Sequence, residues 1–265
     1  MTAQKFDASK YDPRILPHMF DPEVSHNFKL VTEGERVMPN QDPDSPNGGA
    51  RLTPDESALV SDPCAKRSMK DVMEDVFGEE LYLSRKAAMK GETGRGRAAN
   101  IATATDAVAK YTDVRLFGGV VNPGGRAHQI LGPVQLEVGV GVGRDGGPVH
   151  QHTLVITRLM DQTSRNATAM GRKTVLDYVR VTQEGRYAGY LGKRHNVSRH
   201  DMGVLWTSIM RCAGHRPSAS RGFMRPVSLQ VVTFDNEFGG VGHVAHNDVI
   251  DLSFDPFSAE PDAKA

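Results

Sequence analysis

Two cysteines and one tryptophan stand among 265 residues. Cys64 and Cys212 allow one disulfide at most, and a chain this long builds a core without it, so a reducing, cytoplasmic home is expected. No apolar run approaches the roughly 18 residues that a membrane helix needs. Met1 to Asp21 carries charges and prolines where a signal peptide would carry an apolar core, and no membrane partner is expected. Net charge is lacking too, because 32 Lys and Arg balance 32 Asp and Glu. That excludes a uniformly basic coat for nucleic acid, though not a local one. G-x-S-x-G, H-E-x-x-H and C-x-x-C do not occur, which removes the spacings of a serine hydrolase, a zinc protease and a redox or metal pair. The glycine-rich runs at 139–147 and 239–246 do not join a strand to a helix, as a phosphate-cradling nucleotide loop requires. No metal, cofactor or catalytic group is expected.

What is present is a globular composition, 38% hydrophobic and 24% charged, enough for one sizeable core. The charge is unevenly spread. Residues 1–81 hold 16 acidic side chains against 9 basic ones, whereas residues 165–225 hold 12 basic against 3 acidic. Arginine outnumbers lysine about two to one, and its planar fork suits phosphate. A basic surface with an anionic partner is the reading.

Along the chain, the first 25 residues read as an extended arm, Phe28–Val31 as a short strand and Met38–Arg51 as a loop rich in Pro, Asn, Asp and Gly. Asp62-Pro63 opens a helix whose Met69, Val72, Met73 and Val76 make one buried stripe and which Gly78 ends. Lys66, Arg67 and Lys70 lie off that stripe, near the positive helix end, as a phosphate seat. Residues 91–110 read as a basic, glycine-rich loop entering an Ala-rich helix, and Val114–Phe117 as a strand. Gly132–Val142 alternates cleanly, turns at 143–147, and Val149–Leu159 returns against it as a long hairpin. After a strand at Thr174–Val181, Ser198 to Asp201 opens a second helix by a capping box, with Met202, Leu205, Trp206, Ile209 and Met210 as its core stripe. Val227–Phe234 and Val249–Phe254 close the chain as strands. The order predicts an α+β fold of the split β-α-β, ferredoxin-like type shared by RNA-recognition modules, with the hairpin as an insertion.

His150 and His152 could share one strand face as metal ligands, but no third ligand has characteristic spacing, so ordinary strand histidines are the better reading. Trp206 falls in a core stripe, and Phe223 could stack on a base. Cys64 reads as a small buried apolar side chain.

Five segments in order, LVSDPCAKRSMKDVM (Leu59–Met73), DVRLFGGVV (Asp113–Val121), LGPVQL (Leu131–Leu136), MGRK (Met170–Lys173) and SASRGFM (Ser218–Met224), resemble the Cascade backbone subunits of type I CRISPR systems. The likeness is to the Cas-seven family in its subtype I-C and I-B versions and runs from Phe28 to Phe254. It implies an RRM-like palm in two halves, residues 27–138 and 170–265, with a thumb hairpin at 139–169 and an N-terminal arm at 1–26. It further implies a non-catalytic subunit whose copies line up along a CRISPR RNA and present it to a target DNA strand, beside a large subunit and a repeat-end-binding subunit. By position it assigns RNA contacts to Asn40, Asn47, Lys66, Arg67, Lys70, Gln135, Arg172, Lys173, Ser220 and Arg221. The loop reads MPNQDPDSPNGGAR where the family has Asn-Pro-Asn-Gly-Asp, and the thumb carries no prominent aromatic wedge. Three other readings compete. One is an RNA-guided endoribonuclease of the type III backbone kind using Asp145 or Asp161, one a hydrolase on His150 and His152, and one a general single-strand binder.

Overall fold

The computed structural model describes residues 6–45, 48–93, 96–97, 100–159, 168–215, 221–240 and 242–253, and the side chains of all of these except 155–159 and 168–172. In chain order the elements are β1 (His26–Val37), β2 (Ala58–Val60), α1 (Asp62–Val76), α2 (Arg85–Met89), α3 (Ala104–Lys110), α4 (Thr112–Phe117), β3 (Gly118–Val121) and β4 (His128–Leu131). They continue with β5 (Val134–Leu136), β6 (Gly139–Val142), β7 (Gln151–Leu159), β8 (Thr168–Tyr187), α5 (Gly189–Arg194), α6 (Arg199–Arg211), β9 (Met224–Phe234) and β10 (Val244–Asp251).

The main sheet runs β10-β9-β1-β8-β6-β2, every neighbour antiparallel. Taking β1, α1, β6, β8, α6 and β9 alone gives β-α-β-β-α-β with the fourth, first, third and second strands side by side, the ferredoxin-like order. The α+β, RRM-like expectation therefore holds. Period-two alternation puts Phe28 and Leu30 of β1, Val179, Val181 and Tyr187 of β8, and Leu229 and Val231 of β9 on the inner face. Met69, Val72 and Met73 of α1 and Met202, Leu205, Trp206 and Ile209 of α6 belong to the same buried layer. Trp206 donates its indole N–H to the Met19 carbonyl at 2.7 Å and meets the rings of His26 and Phe28 edge-on. The α6 capping box forms as expected between Ser198 and Asp201. Gly78, at φ +70°, ends α1 where a side chain would be strained.

Four expectations need correction. First, residues 132–142 and 149–159 do not pair with each other. β5, β6 and β7 all run antiparallel to one strand, β8: Val134 faces Tyr187, Val140 faces Thr182 and Gln151 faces Leu176. They are successive pieces of one interrupted strand. The turn at 143–147 is real, with Gly143 N–H bonded to the Gly147 carbonyl, but it is a detour, after which the chain resumes its direction. The true hairpin is β7 with the first half of β8, carried past the end of β1, where Val37 faces Leu176.

Second, 114–117 is helical. Thr112 N–H bonds the Glu80 carbonyl, the Asp113 carboxylate accepts from the backbone of Tyr82 and Leu83, and the α4 turn buries Val114, Leu116 and Phe117. Third, the N-terminal segment from Phe6 is not an extended arm. Tyr11, Ile15, Met19 and Phe20 enter the main core, and the Tyr11 ring lies so close to Gly203 that a Cβ there would collide with it. Fourth, Val76 is 45% exposed, so the α1 stripe ends at Met73. Asp161 lies outside the described residues. No helix among the described residues is long and apolar enough to cross a membrane.

Candidate nucleic-acid interface

Of the ten sequence-predicted residues, seven have described side chains, and these fall in four places. Asn47 and Ser220, and the side chain of Arg172, lie outside the described residues. Around the first turns of α1 stand Asn40 and Arg221 on the Cys64–Ser68 face, with Lys66 and Arg67 on other faces of the helix. The Arg221 guanidinium donates to Ser68 Oγ at 2.9 Å and approaches Cys64 Sγ at 3.3 Å, so the segment before β9 is docked on the helix. Asn40 Nδ2 donates to the Leu59 carbonyl at 3.3 Å, which ties the loop after β1 to β2. Lys66 pairs with Asp62 at 3.2 Å, and Arg67 bridges Asp71 and the Leu83 carbonyl, both at 2.7 Å. A crevice of about 60 Å³ opens between Pro39, Cys64, Ser68 and Arg221. Cys64 is half-buried there rather than a core side chain.

Lys70 is elsewhere. Its side chain is 11% exposed, its ammonium sits 3.0 Å from Asp113, and it lies over the Phe117 ring. It holds α1 to α4 from inside. Gln135 sits on the opposite, open face of the sheet, its Nε2 donating to the Gly132 carbonyl at 2.8 Å. It lines a shallow groove of about 500 Å³ with Asn27, Lys29, Glu184, Arg186 and Gln230. Lys173 faces Leu154 in the β7–β8 hairpin. His152 pairs with Asp177 at 2.8 Å, and among the described residues no third ligand joins it and His150.

Sequence reasoning missed a further cluster on the open face. Glu33 of β1 lies between Arg180 of β8 and Arg225 of β9. Its Oε2 accepts from Nε and Nη2 of Arg180 at 3.2 and 2.9 Å, and its Oε1 from Nε and Nη2 of Arg225 at 3.0 and 2.7 Å. The Tyr178 hydroxyl adds a bond to Oε2 at 2.8 Å. Burial alone would raise the Glu33 carboxyl, but the hydrogen bonds from Arg180, Tyr178 and Arg225 outweigh it and bring it down to about 2. The carboxylate is 10% exposed, whereas the two guanidinium side chains are 52% and 61% exposed. One buried charge thus pins two arginines and leaves their remaining N–H groups facing solvent with a net charge of plus one. Beside it Arg144 pairs with Glu35 at 2.5 Å and covers the Tyr178 ring at 4.5 Å. The available signal was the alternation of β8, in which Tyr178, Arg180, Thr182, Glu184 and Arg186 share one face.

These groups share one end of the sheet. Met38 N–H bonds the Arg221 carbonyl, Glu33 is four residues from the end of β1, and the β7–β8 hairpin leaves from the same place. Exposed Phe223, between Arg221 and Arg225, adds an aromatic face there. An end with pinned guanidiniums, amides and an open ring can hold phosphates and stack bases.

Among curated proteins, no sequence matches the chain significantly. Among solved structures, a chain of a "CRISPR RNA-guided surveillance complex, pre-nicking" is similar over 80% of this chain and 79% of that one, at TM-score 0.52 and 12% identity, a likeness of fold. A chain of a "CRISPR RNA-guided surveillance complex" is similar over 80% of this chain and 70% of that one, at TM-score 0.47 and 12% identity. The sequence profile of CRISPR-associated protein Cas7 matches residues 24–263, a span that takes in the whole main sheet and both of its helices. A ferredoxin-like sheet with a projecting hairpin and a cationic end is thus met by a match along nearly the full chain, and the protein belongs to the Cas7 family.

Proposed function

We propose that this chain is a non-catalytic, RNA-binding backbone subunit of a type I CRISPR effector, whose copies assemble along a guide RNA and hold it for pairing with invading DNA. The observation that carries the reading is the Glu33 clamp, two guanidiniums fixed side by side at the foot of the hairpin with their outer donors open. Fixed donors lose little freedom when they meet a phosphate, so they grip a backbone without reading bases. Asn40, Lys66, Arg67 and Arg221 on the α1 side and Lys173 in the hairpin extend the same cationic end. In this reading the β7–β8 hairpin is the thumb, and sequence discrimination is left to base pairing. The partners are the guide RNA, further copies of the chain, the large and repeat-end-binding subunits, and the target DNA strand.

The test removes the clamp without leaving a buried charge. In Glu33→Gln/Arg180→Gln/Arg225→Gln, single-stranded RNA binding is expected to weaken, and the slope of log K against log salt to flatten by about 0.7, the loss of one net positive charge on the backbone. A folded triple variant with unchanged affinity and slope contradicts the assignment.

A further inference from the structure

The geometry points to a divalent transition-metal site formed by His18, His246 and Asp248, which clasps the N-terminal segment to the edge strand. His246 and Asp248 are two residues apart on β10 and so share one face. They stand opposite Thr233 and Val231, both buried, and Ile250 continues the row at 8% exposure, so this face turns toward the helix layer. Over it lies the short 3-10 turn Pro17–Phe20, fixed by fully buried Met19 and Phe20, which presents His18 from the chain's other end.

His18 Nε2 lies 2.9 Å from Asp248 Oδ2, and the His18 and His246 rings stack at 3.9 Å between centroids and 12° between planes. One ligand atom from each of the three side chains falls within 4.8 Å of the others, and among the described residues this is the one such group of three. A tetrahedral zinc with donors at about 2.0–2.2 Å spaces them roughly 3.4 Å apart. Closing the difference requires the His246 ring to turn out of its stack, so that its lone pair no longer runs parallel to that of His18. His246 is exposed and free to make that turn.

Two imidazoles with one carboxylate are a borderline donor set, suited to zinc, cobalt or nickel rather than to magnesium or calcium, which take oxygen. A water molecule would complete the tetrahedron. The bond would join residues 230 positions apart, stapling the segment that supports Trp206 onto the outer strand of the sheet. An ion that binds the folded chain alone stabilises it by mass action. The remaining histidine–carboxylate contacts of the described residues, His152 with Asp177, His200 with Glu79 and His215 with Asp75, are pairs without a third ligand and serve as internal controls.

The test uses the full, untagged chain stripped with chelator and titrated with zinc sulfate by calorimetry, with thermal melts in parallel. One ion per chain and a zinc-dependent rise in melting temperature are expected. His246→Ala and Asp248→Asn should each weaken zinc binding at least tenfold and abolish the rise, while His152→Ala behaves as wild type. Because His246 is exposed, the zinc-free His246→Ala chain should melt with the zinc-free wild type, which separates loss of a ligand from loss of the fold. Absence of zinc binding by the wild type, or wild-type affinity in His246→Ala, overturns the site.

Discussion

Lys66 and Lys70 sit one helical turn apart on α1 and do opposite work. Lys66 pairs along the helix with partly exposed Asp62, whereas Lys70 meets Asp113, a carboxylate 1% exposed that also accepts two backbone N–H groups. Lys70→Glu would face one buried carboxylate with another and should cost about 3–5 kcal/mol, seen as a lower urea midpoint. Lys66→Gln should change stability by less than about 1 kcal/mol and weaken RNA binding. Equal stability of the two variants would contradict the assignment. His26 makes a second residue-scale case. It is fully buried between Thr233 Oγ1 and the Asp21 carbonyl, and burial lowers its pKa from 6.5 to about 4. Between those values the unfolded chain binds the proton that the folded chain refuses, so stability falls as pH falls from about 6.5 toward 4, by at most about 3 kcal/mol. Urea titrations near neutrality and near pH 4 should show His26→Gln losing less on acidification than the wild type by about that amount; an equal loss would contradict it. The sequence made the basic residues visible but not their partners. Glu33 lies past the short strand read at Phe28–Val31 and carries no signal of its own, because Arg180 and Arg225 lie 147 and 192 positions away.

Among the elements, the two main helices were legible because α1 opens on Asp-Pro, α6 carries a capping box and both repeat apolar residues at helical spacing over about two turns. The segment 114–117 was not, since four residues, three of them apolar, fit a buried strand as well as a helical turn, and only Asp113 bonding back to Tyr82 decides it. The β5–β6–β7 course was misread for a different reason. A glycine turn between two alternating segments looks like a hairpin, and only the register along β8 shows the chain resuming its direction. The N-terminal segment hid its packing in scattered anchors, Tyr11, Ile15, Met19 and Phe20, with no period to reveal them. Its seat is testable. Gly203→Val should push Tyr11 off α6, cost about 1–3 kcal/mol and open residues 6–20 to limited proteolysis. A variant with wild-type melting and an uncut N-terminus would contradict the packing described.

For the whole molecule, zero net charge conceals an uneven spread of charged residues along the chain. The hairpin end of the sheet gathers Arg144, Arg180, Arg221 and Arg225 with half-buried Tyr178 and exposed Phe223, while the far end holds an exposed aromatic pair, Tyr190 stacked on Phe238 at 5.7 Å, beside Arg186, Lys193 and Glu237. Both ends offer rings and cations, and the proposed function puts RNA at the hairpin end. Ultraviolet cross-linking of the native assembly to its co-purified RNA, followed by peptide mapping, tests it most directly. The account predicts adducts on Tyr178, Phe223 and their neighbours in 38–45, 173–186 and 221–225; adducts confined to Tyr190 and Phe238, with none at the hairpin end, would contradict it.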